Sequence, residues 1–91
     1  MGPESQKLSS RLSKLAKLLI TQDEQYWAAW VRRSNDEIRN GDFHGVESFL
    51  GALGGMGSLN DVVCSDNDAT EQLRALITDA YGLATSIKHQ Q

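Results

Sequence analysis

The sequence has little that would cross-link the chain or hold it in a membrane. Its one cysteine, Cys64, has no partner for an internal disulfide, so a reducing cytoplasm is the expected location. The first ten residues are polar, and the longest early apolar run is Leu18–Ile20. We therefore expect no secretory signal and no membrane-spanning segment, and binding to a membrane surface is disfavoured.

Constellations of residues that carry catalysis or bind metals are also missing. Cys64 has two histidines to pair with, His44 and His89, and neither a CxxC nor an HxxxH spacing occurs. The segment that starts at Asp66 resembles a calcium-binding loop, but Glu71 stands where such a loop needs glycine. We therefore expect no catalytic centre, no metal and no cofactor, and we interpret Cys64 as a small buried apolar residue.

Basic residues are absent from one long stretch and concentrated in another. No Lys or Arg occurs from Asn40 to Leu73. A candidate basic face lies on the first predicted helix and consists of Lys7, Arg11, Lys14 and Lys17. The net charge of −3 and the pI of about 5.2 disfavour nucleic-acid binding by this face. It is expected to be solvated or to dock on an acidic patch of a partner or of a second copy.

Apolar residues recur at helical spacing along most of the chain, with no convincing strand pattern. The periodicity predicts helices over about residues 4–20, 22–40, 43–53 and 69–88, and one short helix or turn over 59–63. The sequence therefore predicts an all-α fold. We expect a single domain over residues 1–91, formed by a bundle of four main helices plus one short helix, packed mostly antiparallel.

Polar residues and glycines mark the expected helix ends. Thr21 and Glu24 predict a capping box at the start of the second helix, and Gly41 predicts its end. Asp42 is the expected N-cap of the third helix. Asp68, with an acid three residues later, is the expected N-cap of the last.

Two further features of the middle helices bear on packing. Trp27 and Trp30 share a face with Val31, which we interpret as core packing, the alternative being an exposed aromatic patch that anchors a partner. Gly45 and Gly51 each weaken the third helix by about 1 kcal/mol relative to Ala. They are tolerable where another backbone packs close to them.

The stretch "GALGGMGSLND" (residues 51–61) is the most distinctive part of the sequence. A phosphate-binding loop needs a lysine and a preceding strand, and a dinucleotide fingerprint needs a third glycine, so neither template fits. We expect a helix to stop at Gly54–Gly55 and a new one to start at Ser58, where Ser58 and Asp61 accept hydrogen bonds from backbone N–H groups. The candidate interaction loop comprises Gly54, Gly55, Met56, Gly57, Ser58, Asn60 and Asp61.

His44 completes this candidate site as a neighbour of the loop. It lies in the first turn of the third predicted helix, where the helix dipole disfavours its charged form.

The loop also carries a resemblance to a known group of proteins. "GGMGSLNDVV", preceded by "VESFLGAL" and followed by a polar loop and a helix that ends near "YGLA", resembles a family of small uncharacterised bacterial all-α proteins. Members of that family carry a Gly-Gly-Met-Gly-Ser-x-Asn-Asp loop. The similarity covers roughly Trp27 to Ser86 and leaves Lys7–Lys17 outside. It implies an all-α fold and no particular activity.

These observations favour a non-enzymatic, cytoplasmic module that acts through contacts with an unidentified protein partner or with itself. One version is an immunity or antitoxin-type factor whose acidic half masks a basic site on a toxin. Two alternatives remain open. One is a small-ligand or enzymatic site built on Ser58, Asn60 and Asp61, with His44 as a further candidate, and the other is nucleic-acid binding through the basic first helix.

Overall fold

The computed structural model describes residues 2–54 and 57–90, so Gly55 and Met56 of the candidate loop lie outside the described residues. The described chain forms four α-helices and one short 3₁₀ turn, and it contains no strand. The helices are α1 (Pro3–Thr21), α2 (Gln25–Arg39), α3 (His44–Gly51) and α4 (Asn67–His89), with the 3₁₀ turn at Leu59–Asp61. The predicted all-α fold with four main helices and one short one is confirmed.

The helices pack so that each long apolar stripe faces a common core. α1 packs against α2 and α4, and α3 fills the remaining position against the same two helices. The pairs α1–α2 and α3–α4 therefore form opposite sides of the bundle. The fully buried side chains come from all four helices and the 3₁₀ turn; the largest are Leu8, Leu12, Leu15, Leu19, Val31, Ser34, Phe49, Leu59 and Leu73.

The junction between α1 and α2 corrects the predicted capping box. Thr21 is the last residue of α1, and its hydroxyl donates to the carbonyl of Leu18 at 2.7 Å, so it does not cap α2. The backbone N–H groups of Asp23 and Glu24 donate to Ile20 and Leu19, the two bonds of a Schellman motif. Asp23 takes the left-handed conformation this motif needs, with φ 61°. The prediction was wrong because α1 continues through Thr21, one residue beyond its predicted end, and α2 begins only at Gln25.

The end of α2 follows the prediction. Gly41 has a φ of 82°, and its N–H donates to the carbonyl of Ile38. The N–H of Asp42 donates to Glu37, which completes a second Schellman motif. The N-cap of α3 is Phe43, so the prediction of Asp42 as the cap was wrong by one residue. The carboxylate of Asp42 still accepts a hydrogen bond from the N–H of His44 at 2.9 Å and satisfies a free donor at the start of α3.

The start of α4 is displaced from its predicted position. The helix begins at Asn67, and its N-cap is Asp66, whose carboxylate accepts from the N–H of Ala69 at 2.7 Å. Asp68 lies inside the first turn and is not the cap. Asp66 and Asp68, two residues apart, offered alternative caps, and Asp66 is the one that precedes the helix in extended backbone conformation.

The two glycines of α3 differ in what surrounds them. A Cβ atom on Gly45 would lie 2.5 Å from the backbone oxygen of Ser34 and 2.8 Å from the backbone nitrogen of Ile38. The backbones of α2 and α3 therefore touch at Gly45. This is the close packing of another backbone that makes a glycine tolerable within α3. A Cβ atom on Gly51 would meet nothing within 4 Å.

The two flanks of α2 are joined to their neighbours by different contacts. Toward α1, the buried Asn35 accepts from the hydroxyl of Ser9 at 2.7 Å and donates to that of Ser13 at 3.1 Å. Toward α3, the fully buried Ser34 donates to the hydroxyl of Ser48 at 3.0 Å, close to the contact at Gly45. These hydrogen bonds satisfy polar groups inside two otherwise apolar helix–helix contacts, the α1–α2 seam and the α2–α3 seam.

Candidate functional site

The candidate loop turns the chain from α3 into the 3₁₀ turn. Gly54 and Gly57 have φ values of 86° and 73°, a conformation that glycine adopts without strain. The carboxylate of Asp61 accepts a hydrogen bond from the N–H of Gly57 at 2.6 Å, as the predicted role for Asp61 required. Leu59 is fully buried, and its N–H donates to the carbonyl of Ala52, which fixes the turn against the end of α3.

Ser58 does not have its predicted role. It precedes the 3₁₀ turn in extended conformation, but its hydroxyl makes no capping bond. The Ser58 Oγ atom is buried and has no hydrogen-bond partner within the described residues. The buried Leu59 next to it fixes the position of the chain, and Asp61 supplies the acceptor that we expected from Ser58.

An open groove between α3 and α4 begins at this loop. The α3–α4 groove has a volume of about 720 Å³, and Gly54 and Asn60 lie at one end of it. Its apolar walls are Leu50 and Leu53 from α3 and Ile77 and Tyr81 from α4. Tyr81 is 52% exposed, so a large aromatic residue borders the opening. Such a combination of apolar walls and an exposed aromatic rim is typical of a surface that receives another chain.

The opposite end of the α3–α4 groove is basic, with Lys88 and His89 from the last turn of α4. The guanidinium of Arg74 donates to the backbone carbonyl of Asn60 at 3.4 Å and ties the 3₁₀ turn to α4. The groove therefore has two unlike ends, a polar loop end and a cationic end.

His44 does not join the candidate loop. It begins α3, while the loop follows the end of that helix, so about 10 Å of helix separates them at 1.5 Å per residue. Its Nδ1 atom instead lies 2.9 Å from a carboxylate oxygen of Glu37 on α2. The hydrogen bond and the charge of Glu37 raise the pKa of His44 above its usual value. The expected suppression of its charged form was wrong, because a carboxylate in contact outweighs the helix dipole.

The aromatic residues of α2 form a half-buried cluster. The rings of Tyr26 and Trp27 meet edge to face at 4.9 Å, and Trp27 lies 5.3 Å from Trp30. Both tryptophans pack against the core while keeping part of their surface exposed, and Trp30 donates to the backbone carbonyl of Ser48 at 2.8 Å. Core packing is thus part of their role, and an outer face remains accessible beside the exposed Tyr26.

The predicted basic face of α1 is not uniform. Arg11 pairs with Asp79 of α4, with 3.1 Å between its Nε atom and the carboxylate, whereas Lys7 and Lys14 are exposed. Lys17 lies in a second groove, between α1 and α2, together with Arg32 and Arg39. This arrangement was not predicted, because it depends on α2 packing beside Lys17 of α1. Arg32 and Arg39, seven residues apart and therefore on one face of α2, were the feature of the sequence that indicated it.

The described residues hold no group of three or more His, Cys, Asp or Glu side chains arranged to bind a metal ion. Cys64 is buried in the hydrophobic core, as predicted, and its N–H donates to the hydroxyl of Thr70. None of the described helices combines the length and the hydropathy that crossing a bilayer requires.

Fold and surface together define a small four-helix protein with open grooves on opposite sides. A family described as "Domain of unknown function (DUF6966)" matches residues 20–72, which is more than half of the chain, and the chain belongs to this family. The matched region contains α2, α3, the candidate loop and the start of α4, and it excludes Lys7–Lys17. No curated protein and no solved structure matches the chain.

Proposed function

We propose that this protein is a non-enzymatic, cytoplasmic interaction module that binds a basic partner protein through the α3–α4 groove. The observation that carries the proposal is the groove itself, whose apolar walls and exposed Tyr81 offer contact area to another chain. An amphipathic helix is the occupant that suits it, because a cleft between two packed helices receives the apolar ridge of a third.

The acidic surface around the α3–α4 groove supports a basic partner, although the charged side chains that line the groove itself are Lys88 and His89. Residues 40–73 contain six acidic and no basic residues, and all six acids are exposed: Asp42, Glu47, Asp61, Asp66, Asp68 and Glu71. Asp61 lies beside Asn60 at the loop end of the groove, while Lys88 and His89 lie at the other end. A partner helix with a basic end and an acidic end therefore binds in one orientation. An immunity or antitoxin-type role, in which this acidic surface covers a basic site on a toxin, is the version that we favour.

A single exposed position allows the groove to be blocked without disturbing the core. Thr78 is exposed on α4 and lies in the groove wall, so Thr78→Arg fills the groove with a long cationic side chain. Ala29 is exposed on α2, away from α3 and α4, so Ala29→Arg adds the same charge elsewhere and serves as a matched control.

The test is affinity capture from an extract of the native organism with the wild type and the two variants. We expect a basic protein retained by the wild type and by Ala29→Arg, and reduced at least about tenfold by Thr78→Arg. The purified partner should then shift backbone NMR signals at Leu50, Leu53 and Tyr81. Retention of every partner by Thr78→Arg, or shifts confined to other surfaces, would exclude the groove as the interface.

The rival function, a small-ligand site at the loop, has a separate readout. The buried Ser58 hydroxyl, which has no hydrogen-bond partner among residues 2–54 and 57–90, is the observation that favours it. Ligand-detected NMR against metabolites and nucleotides would then find a compound that shifts signals from Ser58 to Asp61. A protein partner that maps to Tyr81, with no such compound, favours the interaction module.

A further inference from the structure

The groove on the opposite side of the bundle, between α1 and α2, has a different character. This α1–α2 groove has a volume of about 410 Å³. Three cationic side chains line it, Lys17 from α1 and Arg32 and Arg39 from α2, against one acid, Asp36. The groove is therefore locally positive on a protein whose net charge is −3.

The cations of the α1–α2 groove are available to bind an anion. No ion pair within 4 Å joins Lys17, Arg32 or Arg39 to any acid of the described chain, although Arg11 nearby on α1 has such a partner. Arg32 and Arg39 lie two helical turns apart, which places them about 10 Å from each other along α2. Guanidinium groups at this spacing suit two separate carboxylates better than one compact anion.

The floor of the same groove is partly apolar and partly polar. Ala16 and Ile20 of α1 contribute the apolar part, and Ile20 is 48% exposed despite its size. The buried Asn35 also lines the groove, and its side chain is held in place by Ser9 and Ser13. Its amide has two N–H donors, and one of them has no acceptor within the described residues. A ligand with an apolar group, a hydrogen-bond acceptor and several negative charges complements this surface.

We propose that the α1–α2 groove binds an acidic segment of a partner protein. Carboxylates of the segment pair with Lys17, Arg32 and Arg39, and an apolar side chain of the segment covers Ala16 and Ile20. A backbone carbonyl of the segment accepts from the amide of Asn35. This site is distinct from the α3–α4 groove in position and in charge, and it does not depend on the function proposed for that groove.

Nucleic acid suits the α1–α2 groove less well for two reasons. Stacking of bases needs aromatic side chains, and none lines the groove, whose walls are aliphatic, polar and charged. Asp36 stands between Arg32 and Arg39 on α2 and repels a continuous row of phosphates. A segment with a few spaced carboxylates avoids Asp36, whereas a polyphosphate chain does not.

The test selects binders from a displayed library of random peptides of about 16 residues, long enough for four helical turns. Arg33 provides the matched control. It neighbours Arg32 in the sequence, is exposed, and lines a different cleft beside Tyr26, Trp30 and His44. The peptides enriched on the wild type are then measured by fluorescence anisotropy against Arg32→Glu, Arg39→Glu and Arg33→Glu. Circular dichroism checks that each variant is folded.

The expected result is enrichment of peptides that combine Asp or Glu with at least one large apolar residue. Their dissociation constants should rise at least about tenfold for Arg32→Glu and for Arg39→Glu, and about twofold or less for Arg33→Glu. NMR signals of Ala16, Ile20 and Asn35 should shift on binding.

Four results would overturn the proposal. They are enrichment of neutral or basic peptides, equal weakening by Arg32→Glu and Arg33→Glu, and tighter binding of a single-stranded RNA oligonucleotide than of any peptide in the same groove. The fourth is self-association of the wild type that Arg32→Glu abolishes, which would make a second copy of the chain the occupant.

Discussion

The two sides of the bundle differ in charge, in helix length and in the grooves they present. Residues 1–39, which include α1 and α2, carry seven basic and five acidic residues, whereas residues 40–91 carry two basic and seven acidic residues. The α1–α2 side has helices of 19 and 15 residues and a basic groove, while α3 on the other side has 8 residues and borders a larger, more apolar groove. The chain thus places two chemically different surfaces on a core that both sides share.

The contacts of α2 with α1 and with α3 also differ from each other. The seam with α1 is apolar except where Asn35 hydrogen-bonds to Ser9 and Ser13, and a groove lies beside these bonds. The seam with α3 is closed by direct backbone contact at Gly45. A short helix has few side chains to bury, so close approach supplies part of the contact that its length cannot.

The largest expected effect on stability is at the α2–α3 seam. Gly45→Ala places a Cβ atom 2.5 Å from the Ser34 carbonyl oxygen, so the helices must separate. We expect a loss of about 3 kcal/mol in the free energy of unfolding, at the upper end of overpacking effects. Gly51→Ala on the same helix meets open space and should gain up to about 1 kcal/mol. Urea unfolding of both variants measures the difference, and equal effects would show that the backbones do not touch at Gly45.

The α1–α2 seam should be the next most sensitive. Asn35→Ala removes two hydrogen bonds, to Ser9 and Ser13, and we expect a loss of about 2 kcal/mol. Ser34→Ala removes one bond at the other seam and should cost about 1 kcal/mol. Chemical unfolding of the two variants compares the seams directly. The opposite order would mean that hydrogen bonding is not what holds α1 to α2.

A smaller effect is expected where α1 meets α4. The ion pair between Arg11 and Asp79 is solvent-exposed, so Asp79→Asn should change the free energy of unfolding by about 0.5 kcal/mol or less. The change should vanish in 1 M salt, because screening removes the attraction. Thermal unfolding at low and high salt measures it, and a loss as large as that of Asn35→Ala would show that the pair is more than a surface contact.

The smallest expected effect concerns the pH dependence at the start of α3. The contact with Glu37 raises the pKa of His44 in the folded protein, so the interaction stabilises the fold fully below the usual histidine pKa. That contribution is lost as the pH rises through the raised value. NMR titration of the His44 ring should give a midpoint above that of a free histidine, and Glu37→Gln should lower it. A midpoint at or below the usual value in the wild type would contradict the contact.

Much of the fold follows from local patterns in the sequence. The apolar spacing of Val46, Phe49 and Leu50 marked α3 despite its two glycines, and Gly41 marked the end of α2. The errors occurred where several residues offered the same local chemistry. Asp66 and Asp68 were both suitable caps, and Thr21 could either cap α2 or extend α1. Tertiary packing decided between these choices, which local propensity cannot do.

The surfaces were harder to predict than the helices. The candidate loop was recognisable as distinctive, but its groove depends on Ile77 and Tyr81, which lie well beyond the loop in the sequence, on α4. The position of His44 depended on Glu37, and the basic groove depended on Lys17 meeting Arg32 and Arg39. Each of these groupings joins residues on different helices, so it requires knowledge of which helices are neighbours.

If the two sides of the bundle bind different partners independently, a crossed binding experiment should separate them. The basic protein captured by the α3–α4 groove and an acidic peptide selected on the α1–α2 groove are titrated, alone and together, into the wild type, Thr78→Arg and Arg32→Glu. We predict that Thr78→Arg loses only the protein, that Arg32→Glu loses only the peptide, and that the wild type binds both at once. Loss of both ligands by either variant, or displacement of one ligand by the other, would contradict it.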